Sequence, residues 1–269
     1  MDTNKEAFDF VCSLGGNCMA ASQLQQRGLR NFSLPFDWLY MIDYEPIPNL
    51  INSFKNNFSN FILKEDFRHV SLEEMPYTAH KDRVLYQNMK TKYFFLNHFD
   101  KKLDVDSEFE KVKEKIERRI NRFLNCINNS NKILFLLSHS FFIENQPYID
   151  FYNFLKEFYP NKEIYIKVIQ FNAKEPSFEY DSGKLKIIRI ERSSNYYDFV
   201  KTNIEWQFLD KIKCNLKRFE NKKKTVLEIK KVKKGVSFSL FAFLNTLFYA
   251  KLYLFGLRIF FSIGKNKVE

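Results

Sequence analysis

The chain has 269 residues, 45% of them hydrophobic and 17% aromatic, which rules out a disordered polymer and supplies material for a sizeable core. Its formal net charge is +11, but residues 217–269 alone hold 13 basic side chains against Glu220, Glu228 and Glu269. The remaining 216 residues carry 30 basic and 29 acidic side chains, and that balance argues against a nucleic-acid-binding body.

The start, Met1-Asp2-Thr3-Asn4-Lys5-Glu6, carries both charge signs and no apolar run of signal-peptide length. Four cysteines (Cys12, Cys18, Cys126, Cys214) are too few for a disulfide framework, so reduced thiols in a cytoplasmic setting are expected. Phe8–Ser13 reads as the first strand. It runs through Leu14-Gly15-Gly16-Asn17 into a helix over Cys18–Arg27 that stops at Gly28. The compact block Ser33-Leu34-Pro35-Phe36-Asp37-Trp38 follows, then a helix near Ile47–Phe58. Val84–Tyr86 and Lys92–Asn97 read as short strands, the second ending at His98. Phe109, Val112, Ile116, Ile120 and Phe123 mark a helix over Glu108–Asn125. Beyond it the pattern alternates. Strands are expected at Ile133–Leu137, Glu163–Phe171 and Leu185–Ile190, and helices at Tyr148–Phe158 and Asn203–Leu216. Such alternation predicts an α/β fold, a single three-layer domain over residues 1–216 with a mainly parallel sheet.

Chemistry concentrates at the glycine turn. A cysteine in the first turn of a helix feels positive potential that favours thiolate. The turn Gly15-Gly16-Asn17 would present backbone N–H groups, those of Gly16, Asn17 and Cys18 foremost, to a developing oxyanion. A histidine must then take the thiol proton. His98 closes a strand, and His139 follows the buried run Ile133–Leu137, where sites collect in α/β sheets. Asp37 and Asp100 both qualify as the orienting third group, and Arg119 could instead grip an anionic substrate or pair with Asp37. Against all this, a free cysteine is among the most buried residue types and can be plain core. Arg118, Arg119 and Arg122 read most simply as a solvated helix face. No metal-ligand spacing, phosphate loop or dinucleotide fingerprint occurs, so no metal and no cofactor are expected.

The blocks Ser13-Leu14-Gly15-Gly16-Asn17-Cys18 and Ser33-Leu34-Pro35-Phe36-Asp37-Trp38 resemble a mostly bacterial family described as papain-like cysteine peptidases. The likeness is strongest over residues 8–40 and weaker at Phe94–Asp100 and around Arg118, Arg119 and Arg122. It implies Cys18 as nucleophile and His98 as base in a hydrolase or acyl transferase. A papain-like chain would be α+β, the alternative to the architecture above. The resemblance also implies a second reading, a transferase or accessory protein in cell-surface polysaccharide assembly. A third reading is a non-catalytic, membrane-recruited binding module.

Residues 217–269 form the second expected region. Nine basic residues from Lys217 to Lys234 precede a long apolar stretch, Val236–Ile263. Its longest uncharged part, Val236–Ala250, is shorter than the roughly 20 residues a spanning helix needs. Lys251 and Arg258, seven apart, would share one side of a helix. That pattern predicts an amphipathic helix lying on anionic lipid, which would hold the protein at the inner face of the cell membrane.

Overall fold

The computed structural model describes residues 5–41, 46–59, 61–71, 83–100, 105–173, 179–191, 204–216, 226–232, 235–241, 247–254 and 257–264. The chain divides into two compact units, Met1–Leu216 and Lys217–Glu269. In the first, the expected opening strand is two short ones, β1 (Glu6–Phe8) and β2 (Phe10–Ser13). Asp9 separates them because its carboxylate accepts the backbone N–H groups of Asn131 and Lys132, both at 2.9 Å. After the glycine turn come α1 (Met19–Gln26) and α2 (Pro46–Lys55). An antiparallel sheet of β3 (Phe67–Val70), β4 (Arg83–Asn88) and β5 (Phe94–Asp100) follows.

The 24-residue α3 (Val105–Asn128) then leads to β6 (Lys132–His139), α4 (Asn145–Phe158) and β7 (Glu163–Ala173). The short β8 (Glu179–Asp181) and β9 (Leu185–Glu191) complete the principal sheet, whose order is β2-β6-β7-β9-β8. Neighbours from β2 to β9 pair in parallel, and β8 pairs antiparallel with β9. With the antiparallel β3-β4-β5 included, the sheets of this unit are mixed, a correction to the mainly parallel expectation.

Alternation along β6 organises the layers. Ile133, Phe135 and Leu137 enter one buried cluster with side chains of α2, α3 and α4. Leu134 and Leu136 enter another with Met19, Ala20 and Leu24 of α1 and with Trp206 and Leu209. Helical segments therefore cover both faces of the sheet, as an α/β domain requires. The first cluster is unusually aromatic. Phe54 meets Phe58, Phe123, Phe135 and Phe151 at ring-centroid distances of 5.1, 5.9, 6.2 and 5.8 Å, each in a tilted or edge-to-face arrangement that favours the ring quadrupoles.

Two expected helices are corrected. Ile204–Lys211 is a 3-10 helix, and β10 (Ile212–Cys214) follows it, pairing in parallel with β1. Trp206 and Leu209 are buried three apart, the repeat of a 3-10 turn. In the second unit the apolar stretch forms strands instead of an amphipathic helix. Strands β11 (Val226–Val232) and β12 (Gly235–Phe241) pair antiparallel, as do β13 (Leu247–Leu254) and β14 (Leu257–Gly264). The sequence carries the reason: Val236-Ser237-Phe238-Ser239-Leu240 and Arg258-Ile259-Phe260-Phe261-Ser262-Ile263 are rich in β-branched and aromatic residues, and the first alternates with period two.

Candidate functional site

The glycine turn leaves β2 at the carboxyl edge of the principal sheet. Gly15 and Gly16 have φ of +88° and +90°, the left-handed region that only glycine enters without strain. A Cβ on Gly16 would lie 2.2 Å from the Ser138 carbonyl oxygen and 2.9 Å from Cε1 and Nδ1 of His139. The turn is thus pressed onto the end of β6. Its hydrogen bonds agree: the Ser138 N–H donates to the Gly15 carbonyl at 3.2 Å, and the Met41 N–H to that of Gly16 at 3.1 Å. The Gly15 N–H donates to Ser13 Oγ at 3.1 Å, which commits one of the donors expected for an oxyanion.

Asn17 joins the turn to two elements. Its Oδ1 accepts the Met19 N–H at 3.0 Å, fixing the start of α1, and its Nδ2 donates to Ser140 Oγ at 3.1 Å. The side chain is buried and both ends are engaged. Cys18 follows in helical conformation and is partly exposed, whereas Cys12 and Cys126 are buried. Burial pushes the Cys18 thiol up, against the lowering expected from the helix start. A backbone hydrogen bond opposes this and is outweighed by desolvation, so the free protein holds a thiol here rather than a thiolate.

His139 is fully buried beside Phe141 and Tyr148, with ring centroids 5.5 and 5.9 Å away. Neither of its ring nitrogens, nor the Ser138 hydroxyl, has a hydrogen-bond partner among the described residues. Across the sheet, His139 pairs in register with Gln170 of β7, and Gln170 with Arg189 of β9. The loop after β6 is tied to these two. Gln170 receives the Ile143 N–H at 3.1 Å and donates to the Ile143 carbonyl at 2.8 Å, and Arg189 Nη2 donates to the same carbonyl at 3.0 Å. Residue reasoning on the sequence missed Ser140, Gln170 and Arg189. For Gln170 and Arg189 the signal was a polar residue interrupting an apolar strand near its end.

His98 lies elsewhere, in β5. Val84 pairs with Phe99 and Tyr86 with Phe95, so Leu96, Asn97 and His98 bulge opposite Leu85. The bulge brings the His98 ring to Phe95, centroids 5.3 Å apart. Bulges re-aim side chains in this way. The β5 sheet reaches the turn through Tyr40, which bridges Phe94, and through the neighbouring Met41. Asp100 ends β5, and its side chain lies outside the described residues.

Asp37 is held by a structural network. It is 1% exposed, accepts the Leu34 N–H at 2.8 Å, and pairs with Arg30 Nε at 2.9 Å. Burial pushes its carboxyl up, opposed by Arg30, the Leu34 N–H and Arg119. Arg30 also lies over the Trp38 ring, 5.3 Å from its centroid. Arg119 is buried, and desolvation brings it down to about 10. Arg122 donates to the Ser33 carbonyl at 3.0 Å and stacks on Phe32. Only Arg118 of the three matches the solvated face expected from sequence; Arg119 and Arg122 turn toward the Pro-Phe-Asp-Trp block. No cluster of metal-binding side chains occurs among the described residues.

The buried imidazole makes stability depend on pH. Desolvation lowers His139 from 6.5 to about 3. Above pH 6.5 it is neutral in both folded and unfolded chains. Between pH 6.5 and about 3 only the unfolded chain takes up the proton, so stability falls by roughly 1 kcal/mol per pH unit. Urea unfolding of His139→Phe between pH 7 and 4 should show a shallower loss than wild type by that amount. An unchanged slope would contradict a dry, neutral His139.

A 136-residue stretch is 29% identical to uncharacterized protein R408 of Acanthamoeba polyphaga mimivirus, covering 46% of this chain and 59% of that protein. The chain therefore spans less than two thirds of this viral relative. No solved structure matches. Residues 9–164, which run from β2 through the glycine turn and the Pro-Phe-Asp-Trp block to the start of β7, match a family model, and the chain belongs to that family, described as "Putative papain-like cysteine peptidase".

Proposed function

We propose that the chain is a cysteine-dependent hydrolase or acyl transferase with Cys18 as its nucleophile. The supporting observation is the seat of Cys18: partly exposed, at the start of α1, on a turn pressed against the carboxyl end of β6. Because burial keeps the thiol protonated, reaction requires a base. The base that the family resemblance implies is His98, while desolvation lowers His139 to about 3 and makes it a weak alternative. The Cys18 sulfur would attack an acyl carbon as its proton passes to the imidazole, and the carbonyl electron pair would move onto oxygen. Collapse would form a thioester and expel the leaving group with the proton from the imidazolium. Water, or an acceptor hydroxyl or amine, would then displace the sulfur and regenerate the thiol.

The same seat has a second reading, favoured by the raised thiol: a binding module in which Cys18 is only packing. Alkylation by iodoacetamide at pH 8, mapped by mass spectrometry, separates them. The nucleophile reading predicts that Cys18 reacts ahead of the half-buried Cys214, and that His98→Ala slows it by about 100-fold, the lower range for a general base. Equal, slow modification of all four cysteines would leave only the binding module.

We also propose that the second unit brings the protein to anionic lipid at the cytoplasmic face of a membrane. With the helix replaced by strands, the support is electrostatic: nine basic residues within 217–234 against Glu220 and Glu228. No helix among the described residues is long and apolar enough to cross a membrane. Each well-placed Lys is worth about 1 kcal/mol toward such a surface. Reversing Lys222, Lys223 and Lys224 to Glu should weaken co-sedimentation with phosphatidylserine-containing vesicles by at least 100-fold, and undiminished binding would refute the proposal.

A further inference from the structure

The segment 30–38 and α3 meet through guanidinium groups. Arg30 Nη2 donates to Ser33 Oγ at 2.8 Å, and Arg122 Nη1 donates to the carbonyl of the same residue at 3.0 Å. Two like charges are thus anchored on one serine. Each also lies over a half-buried ring, Arg30 on Trp38 at 5.3 Å and Arg122 on Phe32 at 4.9 Å. Arg118 stands four residues before Arg122 on α3, the spacing that puts helical side chains next to each other.

Carboxylates do not balance this group. Asp37 is 1% exposed and turned inward, its Oδ2 taking Arg30 Nε at 2.9 Å and the Leu34 N–H at 2.8 Å. Arg122 has the Ser33 carbonyl and the Phe32 ring, both of them neutral. Arg118 is exposed and has neither a hydrogen bond nor an ion pair among the described residues. Glu114 and Glu117, its acidic neighbours on α3, are exposed as well and form no ion pair with it. Desolvation first, and then repulsion from Arg118, lowers Arg122. The fold therefore holds two guanidinium charges side by side, one fixed by Ser33 and Phe32, the other open to solvent. Most of their donors are unspent, in the fork geometry that matches a tetrahedral oxyanion.

We propose that Arg118 and Arg122 form a binding site for a phosphoryl dianion at the seam between α3 and the segment 30–38. Its two charges match the two guanidinium groups that lack a carboxylate, and its oxygens accept from both forks at once. The assignment is independent of the nucleophile reading, because neither residue belongs to the glycine turn or to α1.

Thermal unfolding of the full chain at pH 8, with inorganic phosphate replacing chloride at constant ionic strength, tests it. Wild type should show a saturable rise in Tm, and acetate, a monoanion, should give none. Arg118→Ala breaks no bond of the native chain, so its Tm in chloride should equal that of wild type. Its affinity for phosphate should fall at least about tenfold, the scale of a charged hydrogen bond. Reversing Lys222, Lys223 and Lys224 to Glu should leave the phosphate response unchanged, since these residues lie in the second unit. Glycerol 3-phosphate and phosphatidic acid vesicles, used as competitors, separate a soluble ester from a lipid headgroup as the bearer of the group. An equal rise with acetate, a rise that survives Arg118→Ala or vanishes with the three lysines, or competition by neither phosphate ester would overturn the assignment.

Discussion

A methyl group on residue 16 would sit 2.2 Å from the Ser138 carbonyl oxygen, a separation that real Cβ atoms do not reach. Glycine at this position lets the turn after β2 close directly onto the end of β6. The remaining features of the candidate site depend on that approach. It buries Ser138 and His139 beneath the turn and brings Asn17 within reach of Ser140. Asn17 in turn sets the first residue of α1 and so the position of Cys18. A turn with larger residues would stand off the sheet, and these contacts would open to water together.

Around this point the fold divides its polar groups into two kinds. Asp37, Arg30, Arg119 and Arg122 are bound into the segment 30–38, where each charge has a partner or an aromatic face. Losing one member would strand the others in a low-dielectric setting, which makes the block a structural brace for the aromatic core beneath Phe36. The row along the carboxyl edge of the sheet is different. Gln170 and Arg189 spend their donors on the backbone of the loop after β6, in which Phe142 is exposed. The brace holds the molecule together, and the row holds the loop that follows β6.

Much of this was legible in the sequence because its causes are local. The glycine turn, α1 and the buried run of β6 follow from residues adjacent in the chain, and α3 from a repeat carried over its whole length. Causes that act between distant residues were not legible. Asp9 divides the first strand by bonding to Asn131 and Lys132, and His98 is displaced by a bulge whose register depends on β4. Arg119 is drawn inward by a carboxylate about 80 positions earlier in the chain, which helical periodicity cannot reveal. In the second unit the signal was present but misread. Two cations seven apart suggested a helix, while the alternation of Ser237 and Ser239 with apolar neighbours favoured strands.

The close approach of the turn to β6 can be isolated from simple backbone strain by comparing two glycines. Gly16 and Gly28 both have positive φ, but a Cβ on Gly28 would meet nothing within 4 Å. Gly28→Ala should therefore lose only the conformational term, about 1 kcal/mol in urea unfolding, whereas Gly16→Ala should lose at least about 2 kcal/mol more because Ser138 and His139 must move. Equal losses for the two substitutions would contradict the claim that the seat of the turn on β6 builds the site.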